Sequence, residues 1–114
     1  MKRIELGCAG HFICAARCCF RRHTQVGRYR ISTVGDLYYK EDGPRETLGA
    51  GEDSFFETMV FETTGEPAED NEGCGCQAVV SFRELHCERY PTAGAAQKGH
   101  ERYVAKYLRK ATKR

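Results

Sequence analysis

The fold of this chain is decided by a stretch of eight residues, Phe55-Phe56-Glu57-Thr58-Met59-Val60-Phe61-Glu62. Aromatic and β-branched residues run through it, and these side chains favour β-strands. Because side chains alternate across a strand, Phe55, Glu57, Met59 and Phe61 share one face, and Phe56, Thr58, Val60 and Glu62 share the other. We expect this strand at the centre of a sheet.

Weaker strand patterns lie on both sides of this central strand. Residues 2–6 alternate enough to form a first strand, and residues 17–34 predict a hairpin that turns near Gln25-Val26-Gly27. Short strands are expected around residues 77–80 and 87–90. The Gly- and acid-rich segments 40–53 and 63–75 are predicted to be loops.

The last segment predicts an amphipathic helix. Pro91 and Thr92 mark its start, with Thr92 as the N-cap. Apolar and aromatic residues then recur at steps of three and four, a spacing typical of a helix with one buried face. The residues of this stripe are Ala96, His100, Tyr103, Val104, Tyr107, Leu108 and Ala111.

Together these elements predict an α+β fold, an antiparallel β-sheet of four to five strands packed against one C-terminal α-helix. The 114 residues suffice for a single domain over 1–114. The sheet face away from the helix must curl, carry loops or bind a second copy, so a monomer and a homodimer both remain open.

Composition indicates a soluble, cytoplasmic protein. Hydrophobic residues make up 40% and charged residues 30%, and no apolar run approaches the length of a membrane span. The first residues lack the apolar core of a signal peptide. The seven cysteines are an odd number, so in a reducing compartment we expect free thiols or metal ligands rather than disulfides.

Charge divides the chain into three parts. Residues 1–40 carry eight Lys/Arg and two acids, residues 41–72 carry one Arg and eleven acids, and residues 73–114 carry nine Lys/Arg and three acids. This pattern is either solvated surface or a contact area for a charged partner. The predicted partner-binding residues are Arg21, Arg22, Arg28 and Arg30 in the hairpin, and Glu52, Asp53, Glu69 and Asp70 in the acidic loops.

Cysteine and histidine spacing suggests one Zn²⁺ site. Five such residues lie within 11–23, and Cys74 and Cys76 flank a glycine that allows a tight turn. The predicted ligands are His11, Cys18, Cys74 and Cys76, with Cys19 and His23 as alternatives. The competing hypothesis is that these are ordinary buried or surface thiols, because free cysteine often packs as a small apolar residue.

Glu57 and His100 are the two polar side chains expected at buried positions. Buried polar groups need partners, so we expect a structural polar pair that fixes the helix on the sheet, with Arg89 or Tyr90 as other partners for Glu57. The alternative is an acid/base or metal pair. No phosphate-binding loop, nucleotide motif or Ser-His-Asp set is visible, so we predict no catalytic residues and no enzymatic activity.

Three stretches carry a family resemblance: Ser32-Thr33-Val34, then residues 56–61, then Arg89-Tyr90 with Thr92, Ala96, Gly99 and His100. In this order they resemble a group of small proteins encoded by bacteriophages and prophages, over about residues 29–107. The group has no established activity. The resemblance implies an accessory protein that binds and inhibits a host protein complex, as anti-CRISPR and other anti-defence proteins do.

The alternative function is a small zinc-stabilised protein that binds nucleic acid through the basic hairpin. Arginines with aromatic neighbours can track phosphates and stack bases. The cysteine-rich beginning departs from the pattern of the resembling group.

Overall fold

The computed structural model of the chain describes residues 2–6, 18–38, 45–46, 55–67, 77–81 and 83–112. These residues form one antiparallel sheet and one C-terminal helix, which confirms the α+β prediction. The elements are β1 Arg3–Leu6, β2 Cys18–Val26, β3 Tyr29–Tyr38, β4 Arg45–Glu46, β5 Phe56–Pro67, β6 Gln77–Val79, β7 His86–Tyr90 and α1 Ala93–Thr112.

The sheet is built around β3 and β5, which pair with each other. The strand order is β1-β2-β3-β5-β6, with β4 beside β3 and β7 beside β5. The stretch that begins at Phe55 therefore lies at the centre of the sheet, as predicted. Two differences from the sequence expectation concern predicted loops: β4 pairs with Leu37 and Tyr38, and β5 extends to Pro67.

β5 continues because its second half pairs with β6. The register shifts between Thr63 and Pro67, and Gly65 within this irregular part has φ = 87°. Glycine takes such a positive φ without steric cost, so the strand can bend and still pair. A pattern of alternating apolar residues does not reveal a strand interrupted in this way.

The β2–β3 hairpin turns through Gly27 and Arg28, with Val26 paired to Tyr29. Gly27 has φ = 56°, a conformation that favours glycine at a two-residue turn. The pairing fixes which side chains share a face. Thr24 lies opposite Ile31 on the face that meets α1, and His23 lies opposite Ser32 on the other face.

α1 begins as the sequence predicts. The Thr92 hydroxyl accepts a hydrogen bond from the Ala95 backbone N–H at 3.1 Å, which caps the helix. The predicted apolar stripe faces the sheet, where Ala96 and Val104 are buried. Within the described residues, no helix combines the length and apolar character that crossing a membrane requires.

Two apolar clusters lie between α1 and the sheet. The larger cluster contains Val26, Ile31, Val60, Val104 and Tyr107. The smaller contains Phe56, Tyr90 and Ala96. His100 on α1 and Thr58 on β5 lie between the two clusters. The interface between helix and sheet therefore has three layers: apolar, polar and apolar.

Two glycines make room for aromatic rings of the smaller cluster. A Cβ added at Gly99 would overlap the Tyr90 ring and hydroxyl, and one added at Gly35 would overlap the Phe56 ring. Gly99 lies on α1, so its missing side chain lets Tyr90 pack against the helix backbone. This explains why a helix interior keeps a residue that disfavours helices.

We predict that Gly99→Ala destabilises the protein by about 1–3 kcal/mol, because the new methyl group overpacks the contact with Tyr90. Gly94→Ala is the matched control, since nothing lies within 4 Å of a Cβ added there. Alanine favours a helix over glycine, so the control should gain up to about 1 kcal/mol. Urea unfolding of both variants checks the prediction, and equal effects would contradict it.

Candidate functional site

The most buried titratable group in the described interior is the imidazole of His100, with no exposed surface. Both ring nitrogens have hydroxyl partners. Nε2 lies 2.8 Å from the Thr24 hydroxyl on β2, and Nδ1 lies 2.7 Å from the Thr33 hydroxyl on β3. One side chain of α1 thus joins the helix to two strands.

Counting donors fixes the tautomer of His100. Thr24 donates its only hydroxyl proton to Glu5 Oε1 at 2.9 Å. Its oxygen must therefore accept from His100, so Nε2 carries the proton. In a neutral ring Nδ1 is then an acceptor, and Thr33 donates to it.

The same count of donors extends the hydrogen-bond chain across the sheet to β7. Because Thr33 donates to His100, its oxygen must accept from the neighbouring Thr58 hydroxyl. Tyr90 in turn donates to Thr58 at 3.1 Å. Five hydrogen bonds thus run in one direction, from Tyr90 through the two threonines, His100 and Thr24 to the Glu5 carboxylate. Each bond polarises the next, which strengthens the chain.

The chain ends at a group of four charged side chains between β1, β2 and α1. Arg3 binds both carboxylate oxygens of Glu101, at 2.6 and 2.9 Å, and also binds Glu5 at 2.8 Å. Arg22 lies 3.3 Å from Glu5 and 3.2 Å from Glu101. Burial alone would raise the pKa of Glu5, but hydrogen bonds from Arg3, Thr24 and Arg22 lower it, so the carboxylate stays charged.

Burial and, next, the positive charge of Arg22 lower the pKa of His100 to about 4. Glu101 and Glu5 oppose this shift without reversing it. His100 is therefore neutral near pH 7, which makes Nδ1 the acceptor of the bond from Thr33. A neutral ring whose two nitrogens are both hydrogen-bonded, without exposed surface, serves to hold elements together rather than to exchange protons with a substrate.

The structure does not bring Glu57 and His100 together, which corrects the expected polar pair. Alternation places Glu57 on the opposite face of β5 from Thr58, and Thr58 is the residue that faces α1. Glu57 instead accepts from Arg89 Nε at 3.1 Å, one of the partners named from the sequence. The Arg89 guanidinium also lies 4.2 Å from the centre of the Phe55 ring.

Cys87 completes the surroundings of Glu57. Its thiol donates to Glu57 Oε2 at 3.5 Å, and burial together with the Glu57 charge raises its pKa to about 11. Nucleophilic cysteines need a lowered pKa, so this thiol is a poor nucleophile at neutral pH.

The four arginines of the predicted basic hairpin do not form one surface. Arg21 and Arg28 are exposed, whereas Arg22 is half-buried in the charged group with Glu5 and Glu101. Arg30 is only 1% exposed and donates to the Gln77 carbonyl oxygen. Alternation along β2 and β3 sends neighbouring residues to opposite faces, so this set is divided.

Several predicted site residues lie outside the described residues: His11, Cys74 and Cys76 of the zinc site, and the acids Glu52, Asp53, Glu69 and Asp70. Cys18 belongs to β2, but the position of its side chain is not described. His23 is buried on the sheet face away from α1, with Nδ1 2.8 Å from the Ser32 hydroxyl. In the described part of the chain, no group of three or more metal-binding side chains converges. The zinc site stays a prediction.

The outer surface of α1 is strongly cationic. The helix contains one acid, Glu101, and five bases, Lys98, Arg102, Lys106, Arg109 and Lys110. Arg102 pairs with Glu88 at 2.6 Å. Lys106 and Lys110 make no ion pair with any described carboxylate, and their ammonium groups lie over tyrosine rings instead.

The threonines were not singled out as interacting residues from the sequence, and Tyr90 was named only as a partner for Glu57, whereas its hydroxyl donates to Thr58. Thr33, Thr58, Tyr90 and His100 all lie in the three stretches quoted for the expected family resemblance. Small hydroxyl side chains are common in strands, however, and nothing in their spacing along the chain shows that they meet at one imidazole.

We predict that Thr33→Val, which keeps the side-chain shape, lowers the free energy of unfolding by about 1–3 kcal/mol. The change removes the donor to His100 Nδ1 and the acceptor for the Thr58 hydroxyl proton, so a buried acceptor and a buried donor each lose a hydrogen bond. Thr64→Val is the control, because Thr64 is half-exposed and its hydroxyl contacts only the Glu66 backbone N–H. Equal losses in the free energy of unfolding for the two variants, measured in urea, would contradict this hydrogen-bond chain.

Stability should fall as pH falls from about 6.5 to about 4. In this window the unfolded chain protonates His100 and His23, whereas both folded pKa values are lowered to about 4, chiefly by burial. Each pKa shift corresponds to at most roughly 3 kcal/mol in the free energy of unfolding. This contribution is fully present above the pKa that the histidine has in the unfolded chain. Urea unfolding across this pH range measures how the free energy of unfolding changes with pH. NMR of the imidazole nitrogens separately checks that Nε2 of His100 carries the proton.

Comparison with protein-family models, with curated proteins and with solved structures finds no match. The functional argument therefore depends on the geometry of the described residues and on the resemblance noted in the sequence.

Proposed function

We propose that this chain is a non-enzymatic binding protein, a phage- or prophage-encoded accessory protein that inhibits a host system by docking on a protein complex of that system. An anti-defence role of the anti-CRISPR kind is the specific form of this proposal. The resemblance over residues 29–107 supports the genetic setting, and the geometry supports binding over catalysis.

The observation that carries the proposal is the way the buried polar groups are used. His100, the group best suited to acid/base chemistry, has both nitrogens bound by threonine hydroxyls and a pKa lowered to about 4 by burial. Glu57 is held by Arg89, and the neighbouring Cys87 thiol has a pKa raised to about 11. These groups stabilise the fold, and none is poised for a reaction.

Charge on the surface supports a docking role. α1 presents five bases against one acid, and two of its lysines lack an acidic partner among the described residues. Such a surface attracts an oppositely charged partner and raises the rate of encounter. The zinc and nucleic-acid hypothesis has no comparable support, because the hairpin arginines are divided between two faces and the buried Arg30 is held by Gln77.

We expect expression of this protein to restore plating of a restricted phage in a bacterial host that carries a matching defence system. Inhibition should require about one copy of the protein per target complex, because a stoichiometric binder is consumed by its target. The assay compares plating efficiency across a panel of hosts with different defence systems, at several expression levels.

A His100→Gln variant separates binding from catalysis. If the protein is a binder, any loss of protection should follow the loss of folded protein and recover when expression is raised. A folded variant that gives no protection at any level would contradict the proposal and favour catalysis at His100. Failure to protect any host in the panel would contradict the anti-defence role.

A further inference from the structure

Three cations follow one another along α1 at steps of four residues: Arg102, Lys106 and Lys110. Four residues of helix rise by about 6 Å, so the charged groups form a ridge with roughly that spacing. The ridge borders β7, because Arg102 contacts Glu88 and the Lys106 ammonium lies 3.3 Å from His86 Nε2. We call Lys106, Lys110 and His86 the lysine strip.

The lysine strip is positively charged and has no internal neutralisation. No described carboxylate lies within ion-pair distance of Lys106 or Lys110, whereas Arg102 is already paired with Glu88. Burial together with the charges of Lys106 and Lys110 lowers the pKa of His86. An anion placed on the strip would therefore gain the attraction of two ammonium groups without displacing a described carboxylate.

The ammonium groups are held in place by the rings beneath them. The Lys110 Nζ lies 5.5 Å from the centre of the Tyr29 ring and 5.6 Å from that of Tyr107, and the Lys106 Nζ lies 5.9 Å from the Tyr107 centre. Cation–π contacts of this kind restrict the lysine rotamers before a partner arrives. A preorganised cation loses less entropy on binding.

The same rings argue against nucleic acid as the occupant. Tyr107 is only 1% exposed, and lysine ammonium groups cover its face, so it offers no platform for a nucleobase. The carboxylate of Glu88 also lies at the Arg102 end of the ridge, where it would repel a continuous line of phosphates. Separate carboxylates of a protein fit this pattern better than a nucleic-acid backbone does.

We propose that the lysine strip docks an acidic helix of the partner protein, with two Asp or Glu side chains four residues apart bound by Lys106 and Lys110. Carboxylates at that spacing on a helix lie about 6 Å apart, which matches the two lysines. They also repel each other in the free partner, and binding relieves that repulsion. This inference rests on the proposed function and names its contact surface and partner chemistry.

The test uses a fluorescent, alanine-rich helical peptide with glutamates four residues apart, and fluorescence anisotropy at low and high salt. The double variant Lys106→Glu/Lys110→Glu should weaken binding at least about tenfold, because two attractions become repulsions. Lys2→Glu/Lys98→Glu is the matched control: both lysines are exposed, the net charge changes equally, and binding should change less than about twofold. Circular dichroism confirms that both variants fold.

Three results would overturn the inference. Equal weakening of peptide binding in both double variants would show that only net charge matters. A labelled single-stranded oligonucleotide could also bind more tightly than the peptide and lose this binding only in the Lys106→Glu/Lys110→Glu variant. That result would make the strip a nucleic-acid surface. The plating assay is independent of these results. Protection by the wild-type protein without peptide binding would leave the proposed function intact and discard the strip.

Discussion

The fold depends on one buried imidazole that must be neutral and doubly hydrogen-bonded. His100 lies between two apolar clusters, at a level of the interface where β2, β3 and β5 supply Thr24, Thr33 and Thr58. Apolar packing alone would allow α1 to slide along the sheet, because aliphatic contacts are not directional. A single set of donors and acceptors satisfies this layer, so it fixes the helix position.

The direction of the hydrogen-bond chain links the interior to the charged surface. Each hydroxyl can donate only one proton, and the charged carboxylate of Glu5 can only accept, so the carboxylate sets the orientation of every bond back to Tyr90. The charge of Glu5 is itself maintained by Arg3 and Arg22. A group of four charged side chains at the edge of the interface thus sets which nitrogen of a buried histidine carries the proton.

The sequence predicted the helix and the main strands, but not β4, the second half of β5 or the partners of the polar residues. The period of the helix stripe identified His100 as buried, and the alternation in β5 identified a central strand. The alternation also predicted that Thr58 and Glu57 face opposite ways, but not which of the two faces meets α1. That choice depends on the register between strands, which arises from long-range pairing and has no local signal. Placing Glu57 on the helix side gave the wrong partner for His100.

Under the proposed binding function, the contacts lie on the surface of the described fold. In its interior, Glu57 and His100 are each held by a neighbour, whereas Lys106 and Lys110 pair with no described carboxylate. A rigid support benefits binding, because a cation that is already ordered loses little entropy when a partner docks. On the proposed function, the polar layer that occupies both nitrogens of His100 also fixes the helix whose outer face docks the partner.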